Sequence, residues 1–180
     1  MKKVLFLISI IGFFIFTVKS QTIIGTQNFD GRSEERRVGK ELHDSITITT
    51  PFYDCSAYAF VWLSFHHICK LAGSDIAQIE IQENTTGAKW EKLPSSCYLG
   101  SNPSAYNQQR FNHFSYADWQ PSDSLATPTN AWWKEERFDI SGEASFGIVR
   151  FRFKIIRGNV IGTQFAYGWL IDNFELRGGS

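Results

Sequence analysis

The sequence predicts an all-β fold in which two antiparallel sheets pack face to face. Three observations predict it. Apolar and polar side chains alternate along several short stretches. Residues that favour turns separate those stretches. Beyond residue 20, no segment holds a helical apolar period for long. Strands with one polar face make an antiparallel sheet with a wet side. One such sheet cannot bury its apolar face alone, so a second must cover it. The chain's 16 Phe and six Trp supply filling for the space between them.

The elements follow in order. Lys2 and Lys3 precede an apolar run over residues 4–18, and Val18-Lys19-Ser20 offers small residues before a cut. This reads as a secretory leader (residues 1–20) that leaves Gln21 as the new N-terminus. The run is shorter than the roughly 20 apolar residues of a spanning helix. Residues 22–29 form a first, weak strand. Residues 32–41, RSEERRVGKE, carry seven charges in ten positions and interrupt the β pattern. The string resembles the translation of a common short-read sequencing adapter, so it is expected to be a foreign insertion without selected function. Ser45–Thr49 is a short strand. Residues 58–66 alternate Val61, Leu63 and Phe65 with Trp62, Ser64 and His66. Ile79 and Ile81 alternate with Glu80 and Gln82, and Asn84-Thr85-Thr86-Gly87 then closes a hairpin. Residues 94–103 and 121–130 are rich in turn formers. Residues 132–140 are a further strand. Residues 149–155 form the clearest one: Val149, Phe151, Phe153 and Ile155 on one face, Arg150, Arg152 and Lys154 on the other. A last strand spans 165–176. About eight strands result, in one domain over residues 21–180.

Charge and cysteines bound the function class. The whole chain has 18 cations and 18 carboxylates. Without the leader and the 32–41 segment, 11 cations and 15 carboxylates remain, a net charge of −4. A mildly acidic domain lacks the electrostatic footprint of a nucleic-acid binder. Export permits disulfides. Among Cys55, Cys69 and Cys97, a bridge between Cys69 and Cys97 is expected from their structured flanks, with three free buried thiols as the alternative. The spacings fit no zinc template.

The candidate site residues are aromatic and acidic. Tyr106, Tyr116 and Trp119 lie in the turn-rich region and could form a platform that stacks on a sugar ring, or they could plug the end of the sandwich. In GWLIDNFEL, Asp172 shares a phase with Leu170, Phe174 and Leu176. A carboxylate on an apolar face must be paired, hydrogen-bonded or bound to metal, and outside the cell calcium is the natural metal. Asp30 could approach it if the first and last strands are neighbours. The opposite phase, Trp169 and Ile171, is also apolar. His66 and His67 point to opposite faces of a strand, so they are read as surface or loop residues. No HExxH, G-x-S-x-G or phosphate-binding loop is present, and no pair of acids can be placed at glycosidase separation.

Five stretches carry a family resemblance: QNFD at 27–30, LSFHHICKLAGSDIAQIEIQ at 63–82, KWEKLP at 89–94, WWKEERFDI at 132–140 and YGWLIDNFEL at 167–176. Together they resemble the N-terminal jelly-roll domains of secreted Bacteroidetes proteins of the type IX secretion route, related to MAM-like and concanavalin-A-like sandwiches. The resemblance implies a jelly-roll sandwich that serves as an accessory module of a larger secreted or cell-surface protein. It also implies a metal site from Asp30 in the first strand and Asp172 in the last. The chain is accordingly expected to be a C-terminally truncated fragment, with downstream domains of the same polypeptide as partners. The expected role is non-catalytic binding or adhesion to an extracellular glycan or protein, with calcium as the candidate cofactor. A glycan-active enzyme and a structural spacer are the alternatives.

Overall fold

A computed structural model describes residues 21–27, 45–71, 74–100, 110–119, 128–145, 147–158 and 168–180. The leader, residues 32–41, Asp30 and Tyr106 lie outside the described residues.

Nine strands are described: β1 (Thr22–Gln27), β2 (Ser45–Thr49), β3 (Tyr53–Asp54), β4 (Phe60–Lys70), β5 (Ile76–Glu83), β6 (Glu91–Lys92), β7 (Lys134–Asp139), β8 (Ile148–Ile156) and β9 (Gly168–Gly179). They form two antiparallel sheets. One runs β1-β9-β4-β7 and the other β2-β8-β5-β6, with β3 also on β8. β2 and β3 are one edge strand interrupted by Pro51, which has no N–H for a ladder. Beside the interruption Thr50 holds β8 with both its groups. Its N–H donates to the Phe151 carbonyl at 2.9 Å, and its Oγ1 accepts from the Phe151 N–H at 3.0 Å. Counting β2 and β3 as one, the chain passes back and forth between two four-stranded sheets, the jelly-roll arrangement. No helix among the described residues is long and apolar enough to cross a membrane.

The alternation read from the sequence places the core. Val61, Leu63 and Phe65 of β4 face Val149, Phe151 and Phe153 of β8, and all six are buried. Phe65 and Phe153 meet edge to face at 5.2 Å between ring centres. Each such side chain taken from water contributes about 1.5–3 kcal/mol. Ile79 and Ile81 of β5 point inward as expected. The turn at 84–87 joins β5 to β6, and Gly87 adopts a φ of 81° there.

β9 departs from simple alternation. Trp169 and Ile171 point inward, then Phe174 and Leu176 do, so the phase slips by one residue between them. Asn173 and Phe174 together oppose Phe65 of β4, which is a β-bulge. Asn173 takes the left-handed backbone with φ 51°, which asparagine tolerates better than most residues. The slip turns Asp172 to the outer face. The expectation that Asp172 shares a buried face with Phe174 and Leu176 is therefore corrected: an unbroken two-residue period does not cross a bulge.

Candidate functional site

Two polar assemblies stand out, one sealed between the sheets and one open on an outer face.

The sealed assembly is centred on Glu136. In KEERFD, Glu136 shares the inward phase of Phe138 and is 1% exposed. Three donors converge on its carboxyl group. Tyr98 Oη donates to Oε2 at 2.5 Å, and Tyr116 Oη donates to Oε1 at 2.7 Å. His67 Nε2 donates to Oε1 at 2.9 Å. The imidazole tautomer follows from its other neighbour. Trp169 Nε1, which can only donate, lies 3.0 Å from His67 Nδ1. Nδ1 is thus the acceptor, and the single proton of the neutral ring sits on Nε2. Burial holds the His67 pKa below its ordinary value, and this outweighs the opposing pull of Glu136. Burial and the Glu136 carboxylate push the Tyr98 hydroxyl pKa upward. An aromatic jacket closes the ring in: Phe111 lies edge-on at 4.6 Å and Trp119 at 5.0 Å. A small cavity of about 20 Å³ adjoins Tyr98, Phe111 and Phe138, enough for one water. A general acid or base must reach a substrate proton directly or through one water. Here both imidazole nitrogens are engaged and the carboxyl group is covered. The network ties β4, β7 and β9 to the segments carrying Tyr98 and Tyr116.

The expected site residues fall as follows. Trp119 and Tyr116 do come together, at 4.7 Å between ring centres. They do not form an open platform. Trp119 is wholly buried and donates its indole N–H to the Trp132 carbonyl at 2.8 Å, so it has no face left for a sugar. Tyr116 is half-buried and spends its hydroxyl on Glu136. His67, read as a surface or loop residue, is fully buried, while His66 faces outward as its neighbour's opposite. The Cys69–Cys97 bridge is not formed. Cys69, on the inner face of β4, and Cys97, in the 3-10 turn Ser95–Cys97, are free buried thiols, as is Cys55. Burial pushes Cys97 up to about 12 and Cys55 up to about 11, and Cys69 well above the usual thiol range.

Asp172 stands in a cross-strand row with His66 and Glu135. Its Oδ1 accepts the Asn173 N–H at 2.8 Å, and Glu135 is held by Arg137. A calcium ion takes six to eight oxygen ligands. Among the described residues no group of three or more His, Cys, Asp or Glu converges to hold a metal; Asp30, the other expected ligand, lies outside them.

The open assembly is the outer face of the β2-β8-β5-β6 sheet. Register sets its rows: Thr47, Lys154 and Gln78; then Thr49, Arg152, Glu80 and Lys92; then Arg150 and Gln82. Arg152 donates through Nε to Glu80 Oε2 at 2.6 Å and through Nη2 to the same oxygen, while Lys154 lies 3.6 Å from Oε1. Gln78 Nε2 adds a bond to Glu80 at 2.5 Å. Arg150 donates Nε and Nη2 to Gln82 Oε1 at 2.8 and 2.6 Å. Its guanidinium lies 4.5 Å from the Phe52 ring and 5.1 Å from that of Trp90, and Arg152 lies 4.3 Å from Trp90. Sequence reading saw the three cations only as the wet side of a strand. Trp90 and Phe52 carried no signal, because the turns that bring them beside β8 have no periodicity.

No known protein family matches the chain, and no curated protein matches it.

Proposed function

We propose that the chain is a non-catalytic binding or adhesion module, working outside the cell as part of a larger secreted or surface protein. Its contact surface is the outer face of the five-stranded sheet. One observation carries this reading: cations and aromatic rings are assembled in fixed positions on an open face, while the buried pair His67–Glu136 is enclosed. Rigid, pre-positioned side chains lose little entropy when a ligand arrives. The test is binding of the purified chain to immobilised extracellular glycans and matrix polypeptides, beside Arg150→Gln and Trp90→Ala variants. Retention that falls in both variants supports the reading. Retention that ignores both, or release of reducing ends from a glycan, overturns it.

The burial of Trp119 favours a second reading, a spacer domain without a ligand. It expects no retention on any surface.

A further inference from the structure

We infer that the outer face of the five-stranded sheet recognises an anionic glycan, a sugar chain bearing carboxylate or sulfate groups. This rests on the proposed binding role and names its ligand class.

The first support is charge segregation. On the central rows of this face Lys92, Arg150, Arg152 and Lys154 meet one carboxylate, Glu80. The outer face of the other sheet is opposite in sign. There Glu135, Asp139, Asp172 and Glu175 outnumber Arg137 and Arg177. Central rows with three cations in excess attract anions and steer their approach.

The second support is geometry. Glu80 is 5% exposed, and it anchors Arg152 and Lys154 from beneath. Arg150 is gripped along one edge by Gln82 and flanked by Phe52 and Trp90. Among the described residues nothing accepts from its Nη1, which leaves that end of the fork to an incoming oxyanion. Asp54, in the row beyond Arg150, is turned to its own neighbour and accepts the Ser56 N–H at 2.9 Å.

The third support separates a glycan from an acidic peptide. Arginine clusters read acidic peptides as well, so the distinction rests on the neutral groups of the face. The large apolar residues exposed on these rows are Phe52 and Ile148, both near the Arg150 end; Ile46 and Ile48, exposed at the sheet's margin, lie on the opposite phase of β2 from Thr47 and Thr49. Elsewhere the face offers the exposed hydroxyls of Thr47 and Thr49, which both donate and accept and so match sugar hydroxyls.

The experiment is calorimetric titration of the full chain with polygalacturonate as the carboxylate probe, heparin as the sulfate probe, dextran as the neutral probe and a DNA duplex. At least one anionic glycan should bind, and dextran should not. Affinity should fall as salt rises to about 0.5 M, because screening shortens the reach of exposed charges. Arg150→Gln should weaken binding about tenfold, the worth of one charge-assisted contact. Lys92→Gln, on an exposed two-residue strand, should weaken it a few-fold with the fold intact. Arg137→Gln, on the opposite face, should change nothing. Polygalacturonate alone or heparin alone then identifies the anion. Dextran binding that Arg150→Gln reduces would overturn anion selectivity while leaving the face as the binding surface. Binding unchanged in Arg150→Gln and Lys92→Gln would overturn both the inference and the location. DNA bound as tightly as the glycans, or no binding to either anionic glycan, would overturn the ligand class.

Discussion

His67 and Glu136 show how a single buried pair sets a dependence on pH. His67 is neutral in the fold because its surroundings exclude water and because Trp169 already donates to Nδ1. The unfolded chain would protonate the same ring below about pH 6.5. Protons then bind the unfolded state more than the folded one, so acid draws the equilibrium toward unfolding. The contribution of His67 is complete above the ordinary histidine range and is lost as pH falls from about 6.5 toward its lowered folded pKa. The melting temperature of wild type should therefore drop between pH 7.5 and 5.5 by more than that of a His67→Phe variant. Equal drops would show that other groups carry the dependence. Glu136→Gln keeps the volume but puts an amide donor where three donors converge, and should cost about 1–3 kcal/mol in urea unfolding. Glu136 was legible in principle: it shares the phase of Phe138, and an acid on an apolar face demands partners, as was argued for Asp172. Its partners Tyr98 and Tyr116 come from irregular segments whose return to the sheet no local pattern encodes.

At the scale of the element, β8 and β9 mark the limits of reading by alternation. β8 keeps one unbroken phase, and the assignment of its faces holds from Val149 to Phe153. β9 carries an extra residue at Asn173, so the assignment inverts midway and Asp172 moves from the apolar side to the wet side. A bulge leaves little trace in composition, since both phases of GWLIDNFEL are apolar. Its backbone does make a testable demand. Asn173→Gly should leave the urea midpoint nearly unchanged. Asn173→Val should lower stability by about 1–2 kcal/mol, because a branched side chain resists the left-handed region. Equal stability in both variants would mean that the strand can straighten and slip its register. β1 makes a different demand: a Cβ on Gly25 would collide with the ring of Tyr53, so Gly25→Ala should be destabilising by the same measurement.

For the whole molecule, the two-sheet sandwich was legible because apolar alternation in β4, β5 and β8 has one physical solution, burial against a second layer. The pairing of thiols was not. Cys69 and Cys97 have structured flanks, but spacing says nothing of which way each side chain points. Both point into the core as free thiols, so the protein should react with a thiol reagent such as dithionitrobenzoate only once unfolded, releasing three equivalents in guanidinium. Prompt reaction of the native protein would contradict the burial of all three. The charged stretch 32–41 yields a separate expectation: its deletion should leave the melting temperature unchanged, and a marked drop would show that those residues belong to the domain.

Pro51 interrupts the strand at the margin of the five-stranded sheet. The five residues before it, with Ile46 and Ile48 43% and 42% exposed, resemble a template on which a foreign ribbon could zip. Such a ribbon would meet at Thr50 a residue already committed to its own neighbour and, just past it, no amide hydrogen at Pro51. Growth along that margin would stall after one short segment, since a proline cannot extend the ladder.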